Sequence, residues 1–307
     1  VRHELSAKVE AIGILGGHPW EQLELPRLLR GEMLVNFCNT GPMFLKSQLA
    51  VLHDAAVMDH PSAYGFRYRT WNRVLFSGIM RNASTVATVS SFSASELMRY
   101  FGVRPNGIEI ISESGEHILR SAPEPGILSR LGVTDCKYIL AVGSHSANKN
   151  FRTVIQAATA LEDTGVKVVA AGGMNSRIFA GIELKDSNLI TAGYVTNGEL
   201  RTLYENAECF VFPSFYEGFG LPPLEAMHCG CPVLVSRRAS LPEVCAEAAA
   251  YCDPTDPADV ARQLRLILTS SSMQQEMREA GLARAARFSW AKSAEQLESL
   301  LANAGGA

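Results

Sequence analysis

The chain has 307 residues, 47% of them hydrophobic and 19% charged, with a formal net charge of −3 at pH 7 and a pI near 6.2. This composition excludes a disordered chain and gives room for two domains of roughly 100–200 residues each. The slightly acidic balance argues against a nucleic-acid binder, which needs a basic excess to neutralise phosphates, and no apolar stretch approaches the ~18–20 residues of a membrane span.

Short apolar segments alternate with helix-length periodic ones, the pattern of parallel sheets covered on both faces and so of an α/β chain. Strands are predicted at residues 33–38, 49–53, 85–90 and 108–112, then at 138–143, 166–171, 189–192, 208–212 and 232–236. A helix over 65–81 carries Arg67, Arg69, Arg73 and Arg81. These arginines read either as a solvated face or as a surface for anionic lipid or an acidic acceptor. Residues 114–125, with Gly115, Pro123 and Pro125, form the best linker. It divides the chain into residues 1–120 and 121–307, two α/β units closing around a cleft. Terminal helices from about residue 258 onward are expected on the second unit, with reach back toward the first.

Four segments carry candidate chemistry. In Gln48-Leu49-Ala50-Val51-Leu52-His53-Asp54 a buried-looking strand ends in a histidine. His53 is either a core histidine or a group at the ligand edge of a parallel sheet. In Ile139-Leu140-Ala141-Val142-Gly143-Ser144-His145-Ser146-Ala147-Asn148-Lys149-Asn150 a strand meets a glycine-ended turn and a helix over 151–161. Lys149, at a helix start beside unpaired amides, has no evident carboxylate duty and a natural one toward a diphosphate. In the run from Gly193 to Ala207 a helix begins near Asn197; Val195 and Gly193 precede it, and Tyr194 could pack between domains.

The fourth segment is Phe212-Pro213-Ser214-Phe215-Tyr216-Glu217-Gly218-Phe219-Gly220-Leu221-Pro222-Pro223-Leu224-Glu225-Ala226-Met227. A strand over 208–212 cannot continue through the Pro213–Gly220 turn, and residues 221–230 have helical spacing with prolines in the first turn, where a missing N–H costs little. Glu217 then lies in the loop and Glu225 about one turn inside the helix. Acids so placed can read hydroxyls while the turn amides read phosphate; alternatively, Glu217 complements a helix dipole and Glu225 is solvated.

This segment resembles the E-x7-E element of the retaining GT-B glycosyltransferases of family 4, and the other three segments match that family too. The resemblance implies an α/β fold of GT-B type, two Rossmann-like domains facing a cleft. In it, residues 1–120 form the acceptor-side domain and residues 121–307 the nucleotide-sugar domain. It also implies roles. Glu217 would contact hydroxyls of the transferred sugar, and the turn Gly218, Phe219, Gly220 and Leu221 would contact sugar and phosphate. Glu225 would hold the nucleotide ribose, and Val195 and Gly193 would line the base pocket. Gly143, Ser144 and Asn148 would form the phosphate turn, with Ser144 where many relatives have arginine. Lys149 would meet charge on the leaving diphosphate, and His53 would approach the donor sugar from the opposite domain. Ser240-Leu241-Pro242-Glu243-Val244 and Phe288-Ser289-Trp290 match as architecture.

What the resemblance implies about function is transfer of a sugar, with retention, from a nucleoside diphosphate donor to a glycan or lipid-linked acceptor in cell-surface polysaccharide or glycoconjugate synthesis. The segments around Trp20-Glu21-Gln22, Leu25-Pro26-Arg27 and His53-Asp54-Ala55-Ala56 look most like the mannosyltransferase subgroup, so GDP-mannose is the first expected donor and a UDP-sugar the second. No cofactor is expected. No Asp-x-Asp clamp occurs, which implies metal independence, and the expected location is cytoplasmic, with peripheral contact at the inner face of the membrane. Family members begin with a strand, a glycine-rich turn and a helix before the Trp20 segment. Here that segment comes almost at once and Gly16-Gly17 opens no convincing amphipathic helix, so an N-terminally truncated sequence with an incomplete first domain is expected. A noncatalytic nucleotide-sugar-binding remnant and a nucleotide-sugar epimerase of the same fold are the alternatives. Seven cysteines, Cys38, Cys136, Cys209, Cys229, Cys231, Cys245 and Cys252, lack metal spacing and read as reduced, buried small apolar residues.

Overall fold

The computed structural model describes residues 10–29, 31–61, 64–104, 106–143, 147–173 and 188–305. Its described residues form two all-parallel sheets. The first holds β1 (Leu34–Asn36), β2 (Gln48–Val51), β3 (Thr85–Thr88) and β4 (Glu109–Ile110), in that order. The second holds β5 (Tyr138–Val142), β6 (Lys167–Ala171), β7 (Leu189–Gly193), β8 (Cys209–Phe212), β9 (Val233–Ser236) and β10 (Ala250–Cys252). Their order across the sheet is β10-β9-β8-β5-β6-β7.

That order runs outward in both directions from the β5/β8 pair. The loops leaving these two neighbours therefore diverge to opposite sides and open a crevice at the carboxyl edge, where ligands of such sheets bind. Burial on both faces explains the unbroken apolar strands. In β5 and β8, Leu140, Phe210 and Phe212 enter one core with Leu203 and Tyr204, while Ile139, Ala141 and Val211 enter the opposite core with Val154 and Leu264, following the two-residue alternation of a strand.

In the first sheet, Ala50, Leu52 and Val86 pack against Leu75, Ile79 and Leu97. Leu49, Val51 and Ala87 on the other face pack with Leu297, Leu300 and Leu301. Those leucines belong to the last helix, Trp290–Gly305, so the chain's end returns to the first sheet, while Pro257–Thr269 packs on the second through Val260, Leu264 and Ile267. The connecting stretch is anchored rather than loose: Ile118, in the 3-10 turn Glu116–Arg120, is fully buried in the second sheet's core.

Three expectations change. After Gly16-Gly17 the backbone is helical, with a wide π-type turn over Trp20–Glu24 between Gly17–Pro19 and Leu25–Leu28; Pro26 sits at the start of the last piece, where its missing N–H is tolerated. β10, three residues after an alanine-rich stretch, adds a strand with no sequence signal of its own. The cysteines are not uniformly buried. Cys209, Cys231, Cys245 and Cys252 are, Cys229 is half-buried, and Cys38 and Cys136 are exposed because both lie in loops. Among the described residues no helix is long and apolar enough to cross a membrane.

Candidate active site

The crevice is built from the loops after β5 and β8. Gly143 continues the β5 ladder through its N–H to the Ala171 carbonyl, 3.1 Å. A side chain there would meet the Phe151 ring at 2.8 Å, so the turn needs glycine. Ser144 lies outside the described residues. The chain resumes as the 3-10 turn Ala147–Lys149, which is latched to the β8 loop. The Asn148 Nδ2 donates to the Tyr216 carbonyl at 2.9 Å, and the Asn148 backbone carbonyl accepts from the Phe215 N–H at 2.8 Å and lies 2.8 Å from Ser214 Oγ.

Between the two loops Lys149 and Glu217 meet. The ammonium donates to both carboxylate oxygens, at 2.8 and 2.9 Å, and Ser214 Oγ donates to Oε1 at 2.5 Å. Lys149 Nζ also lies 5.1 Å from the centre of the Phe212 ring. The side chains are 18% and 10% exposed, so the charges are sheltered yet reachable from the crevice. This corrects the expectation that Lys149 has no carboxylate partner: the partner is 68 positions away, on a neighbouring strand's loop.

The Glu217–Gly220 turn is held from both sides. Ser240 Oγ lies within hydrogen-bond distance of the carbonyls of Glu217 (3.0 Å) and Phe219 (2.8 Å), which share its one hydrogen. From the first sheet's side, Ser90 and Ser93 hydroxyls donate to the Gly218 carbonyl at 2.6 and 3.0 Å. A Cβ on Gly218 would fall 2.6 Å from the His53 carbonyl oxygen; glycine is required here by the close approach of another backbone. Gly220 has φ +108°, a left-handed value suited to glycine, and opens the helix Leu221–His228. Phe219 and Leu221 pack with Val89, Leu224 and Val244.

Glu225 lies within that helix. Its Oε1 is 2.9 Å from His117 Nε2 and its Oε2 accepts from Tyr204 OH at 3.1 Å. The carboxylate raises the His117 pKa, against the opposing effect of burial. His53 is only partly buried, and both of its ring nitrogens have partners. Its Nδ1 faces Glu113 Oε1 at 3.0 Å and its Nε2 faces the Phe37 carbonyl at 2.6 Å. Two acceptors favour the doubly protonated ring, and Glu113 raises its pKa. Its Nδ1 and Nε2 are thus engaged within the first half, while its backbone touches the Gly218 turn. Val195 packs at the edge of the second core, just before Thr196, which caps the helix Asn197–Asn206. Tyr194 is 83% exposed and so is no packing residue between the halves.

Sequence reasoning missed the hydroxyls and the partners of the acids: Ser90, Ser93, Glu113, His117, Tyr204, Ser214 and Ser240. Ser240 stood in a segment read as architecture, and Ser214 stood three positions from Glu217 in the fourth segment; the others have partners distant in sequence.

Two parallel sheets, a switch point holding a lysine–glutamate pair and a second glutamate in the following helix place ionisable groups at the edge where α/β sheets bind ligands. The chain belongs to the family "Glycosyl transferases group 1", whose profile matches residues 130–284. It is 32% identical over 267 residues to the O-antigen chain mannosyltransferase B of Escherichia coli, spanning 81% of this chain and 70% of that protein. It is 27% identical to the O-antigen chain mannosyltransferase RfbU of Salmonella typhimurium, over 69% of this chain and 58% of that protein. Among solved structures, WaaG, a glycosyltransferase involved in lipopolysaccharide biosynthesis, matches with a TM-score of 0.68 at 17% identity, covering 85% of this chain and 76% of that one. Anabaena HepE in complex with UDP-glucose matches with a TM-score of 0.69 at 18% identity, over 83% and 72%. These structural likenesses give the GT-B fold.

Proposed function

We propose that this chain transfers a hexose, mannose first, from a nucleoside diphosphate sugar to an acceptor hydroxyl with retention at the anomeric carbon and without a metal. The observation that carries the reading is the Lys149–Glu217 pair at the β5/β8 switch point. A donor entering there offers each member a replacement partner: diphosphate oxygens for the ammonium, sugar hydroxyls for the carboxylate. As the bond from the anomeric carbon to the diphosphate oxygen breaks, its electron pair stays on the diphosphate, where Lys149 stabilises the growing charge. The attacking hydroxyl bonds to the same carbon from the same face and passes its proton to the departing oxygen. Glu225 holds the ribose, with Tyr204 fixing its orientation, and His53 approaches the sugar side.

GDP-mannose is supported as donor by the mannosyltransferases among the relatives, and a cell-surface glycan acceptor by their O-antigen names. A cytoplasmic enzyme touching the inner face of the membrane fits the exposed Arg67, Arg73 and Arg81, together with exposed Phe66, on the helix Phe66–Asn82. Calorimetric titration with GDP, UDP and ADP, with a melting curve alongside, tests the reading: one nucleotide should bind selectively and raise the melting temperature. A cooperative melt with no nucleotide bound defeats it.

A further inference from the structure

Beside the Gly218 turn, on the first sheet's side, lies a hollow of about 230 Å³. Its polar lining comes from His18, from Asn39 and Thr40 after β1, Asp54 after β2, and Asn72, while Tyr64 and Tyr68 supply an aromatic wall. The two rings stack with centroids 5.7 Å apart and 18° between planes. A hollow of this size suits a small polar ligand such as one sugar ring. A ring of this kind has apolar C–H faces for an aromatic wall and hydroxyls around its rim for amides and carboxylates.

Asp54 stands where this hollow meets the donor turn. A Cβ placed on Gly218 would lie 3.0 Å from the Asp54 Cβ. One carboxylate oxygen accepts from the Ala56 N–H at 2.8 Å; among the described residues no donor engages the other, and no cation pairs with it. Burial raises its pKa, Lys149 being among the charges that oppose the rise.

We propose that this hollow is the subsite for the acceptor's terminal sugar, with Tyr64 and Tyr68 as its stacking wall and Asp54 accepting a hydrogen bond from the hydroxyl next to the one that becomes glycosylated, whose own proton is left free for the diphosphate oxygen. The inference rests on the transferase reading above. In the step, the hydroxyl oxygen bonds to the donor's anomeric carbon, the carbon–diphosphate bond breaks with its electron pair leaving on the diphosphate, and the hydroxyl proton goes to that diphosphate oxygen. Asp54 aims the acceptor through the neighbouring hydroxyl and ends the step in the charge state in which it began.

The test is saturation-transfer NMR and titration of the whole chain with methyl α-mannopyranoside and methyl α-glucopyranoside, in wild type, Tyr68→Ala and Asp54→Asn. Tyr68 is 54% exposed, so its truncation spares the fold. Glycoside binding should weaken about tenfold in each variant, while nucleoside diphosphate affinity in Tyr68→Ala stays within about twofold. Glycosides that do not bind the wild type, or that bind both variants unchanged, overturn the subsite. Glycoside binding that depends on Tyr68 and Asp54, in a chain that binds no nucleotide, instead overturns the transferase reading and leaves the sugar subsite standing.

Discussion

Lys149 and Glu217 form a closed ion pair across the crevice, the ammonium within 2.9 Å of both carboxylate oxygens. Each is the other's partner in place of the ligand. On the proposed roles, a donor separates them, and its affinity is the difference between two sets of charge-assisted hydrogen bonds. In a sheltered site either charge alone would be costly, and each offsets the other.

The turn's contact with the first half gives a prediction free of ligand assumptions. Gly218→Ala adds a methyl 2.6 Å from the His53 carbonyl oxygen, a backbone atom that cannot swing aside. The variant should lose about 1–3 kcal/mol of stability, read as a lower midpoint in urea with an unchanged slope.

The Ser90 and Ser93 hydroxyls both donate to the Gly218 carbonyl. Either alone can satisfy it, so Ser93→Ala should cost little, whereas Ser90→Ala also removes the cap that accepts from the Ser93 N–H and should cost about 1 kcal/mol. The double variant strands a buried carbonyl as well and should lose about 1–3 kcal/mol beyond that. A double-mutant cycle checks this, and simple additivity would show that the two bonds act independently.

His117 and Glu225 make stability depend on pH. Glu225 raises the histidine's pKa above its ordinary value, so the folded state binds the proton more tightly than the unfolded one. The resulting stabilisation is fully present below about pH 6.5 and is lost as pH rises through the folded value. His53, raised by Glu113, adds to it with the same sign. Melting temperature should fall as pH rises from about 6.5, and His117→Gln should flatten that dependence without removing the part due to His53.

Thiol labelling should separate the cysteines. Cys38 and Cys136 are exposed and should react readily. Cys231, Cys245 and Cys252 are buried and pushed up to about 12 by desolvation, so they should resist until the chain unfolds. Prompt reaction of more than two thiols in the native chain would contradict the packing.

Much of the fold was legible because fully buried parallel strands read as apolar runs: β5, β8 and β9 stand where residues 138–143, 208–212 and 232–236 called for them. The positions of Glu217 in its loop and Glu225 in its helix followed from Pro213 and the Pro222-Pro223 pair. Two things were not legible. Strand order gives no local signal, so nothing in either segment said that β5 and β8 would be neighbours and bring Lys149 to Glu217. The clasp between the halves was equally hidden: Ser90 lies 128 positions from Gly218, and Glu243, whose carboxylate caps the Ser91 and Phe92 amides, lies 152 and 151 positions from them.

The most direct test of the central claim is calorimetric titration of GDP and UDP into the wild type, Lys149→Ala and Glu217→Ala, paired with a transfer assay. Loss of one charge-assisted contact of about 1.5–3 kcal/mol should weaken nucleotide binding roughly ten- to hundredfold in Lys149→Ala. Glu217→Ala should keep nucleotide binding, its lysine now free for the diphosphate, yet abolish transfer. Equal loss of nucleotide binding in both variants would contradict the division of roles and make Glu217 a structural partner of Lys149 instead.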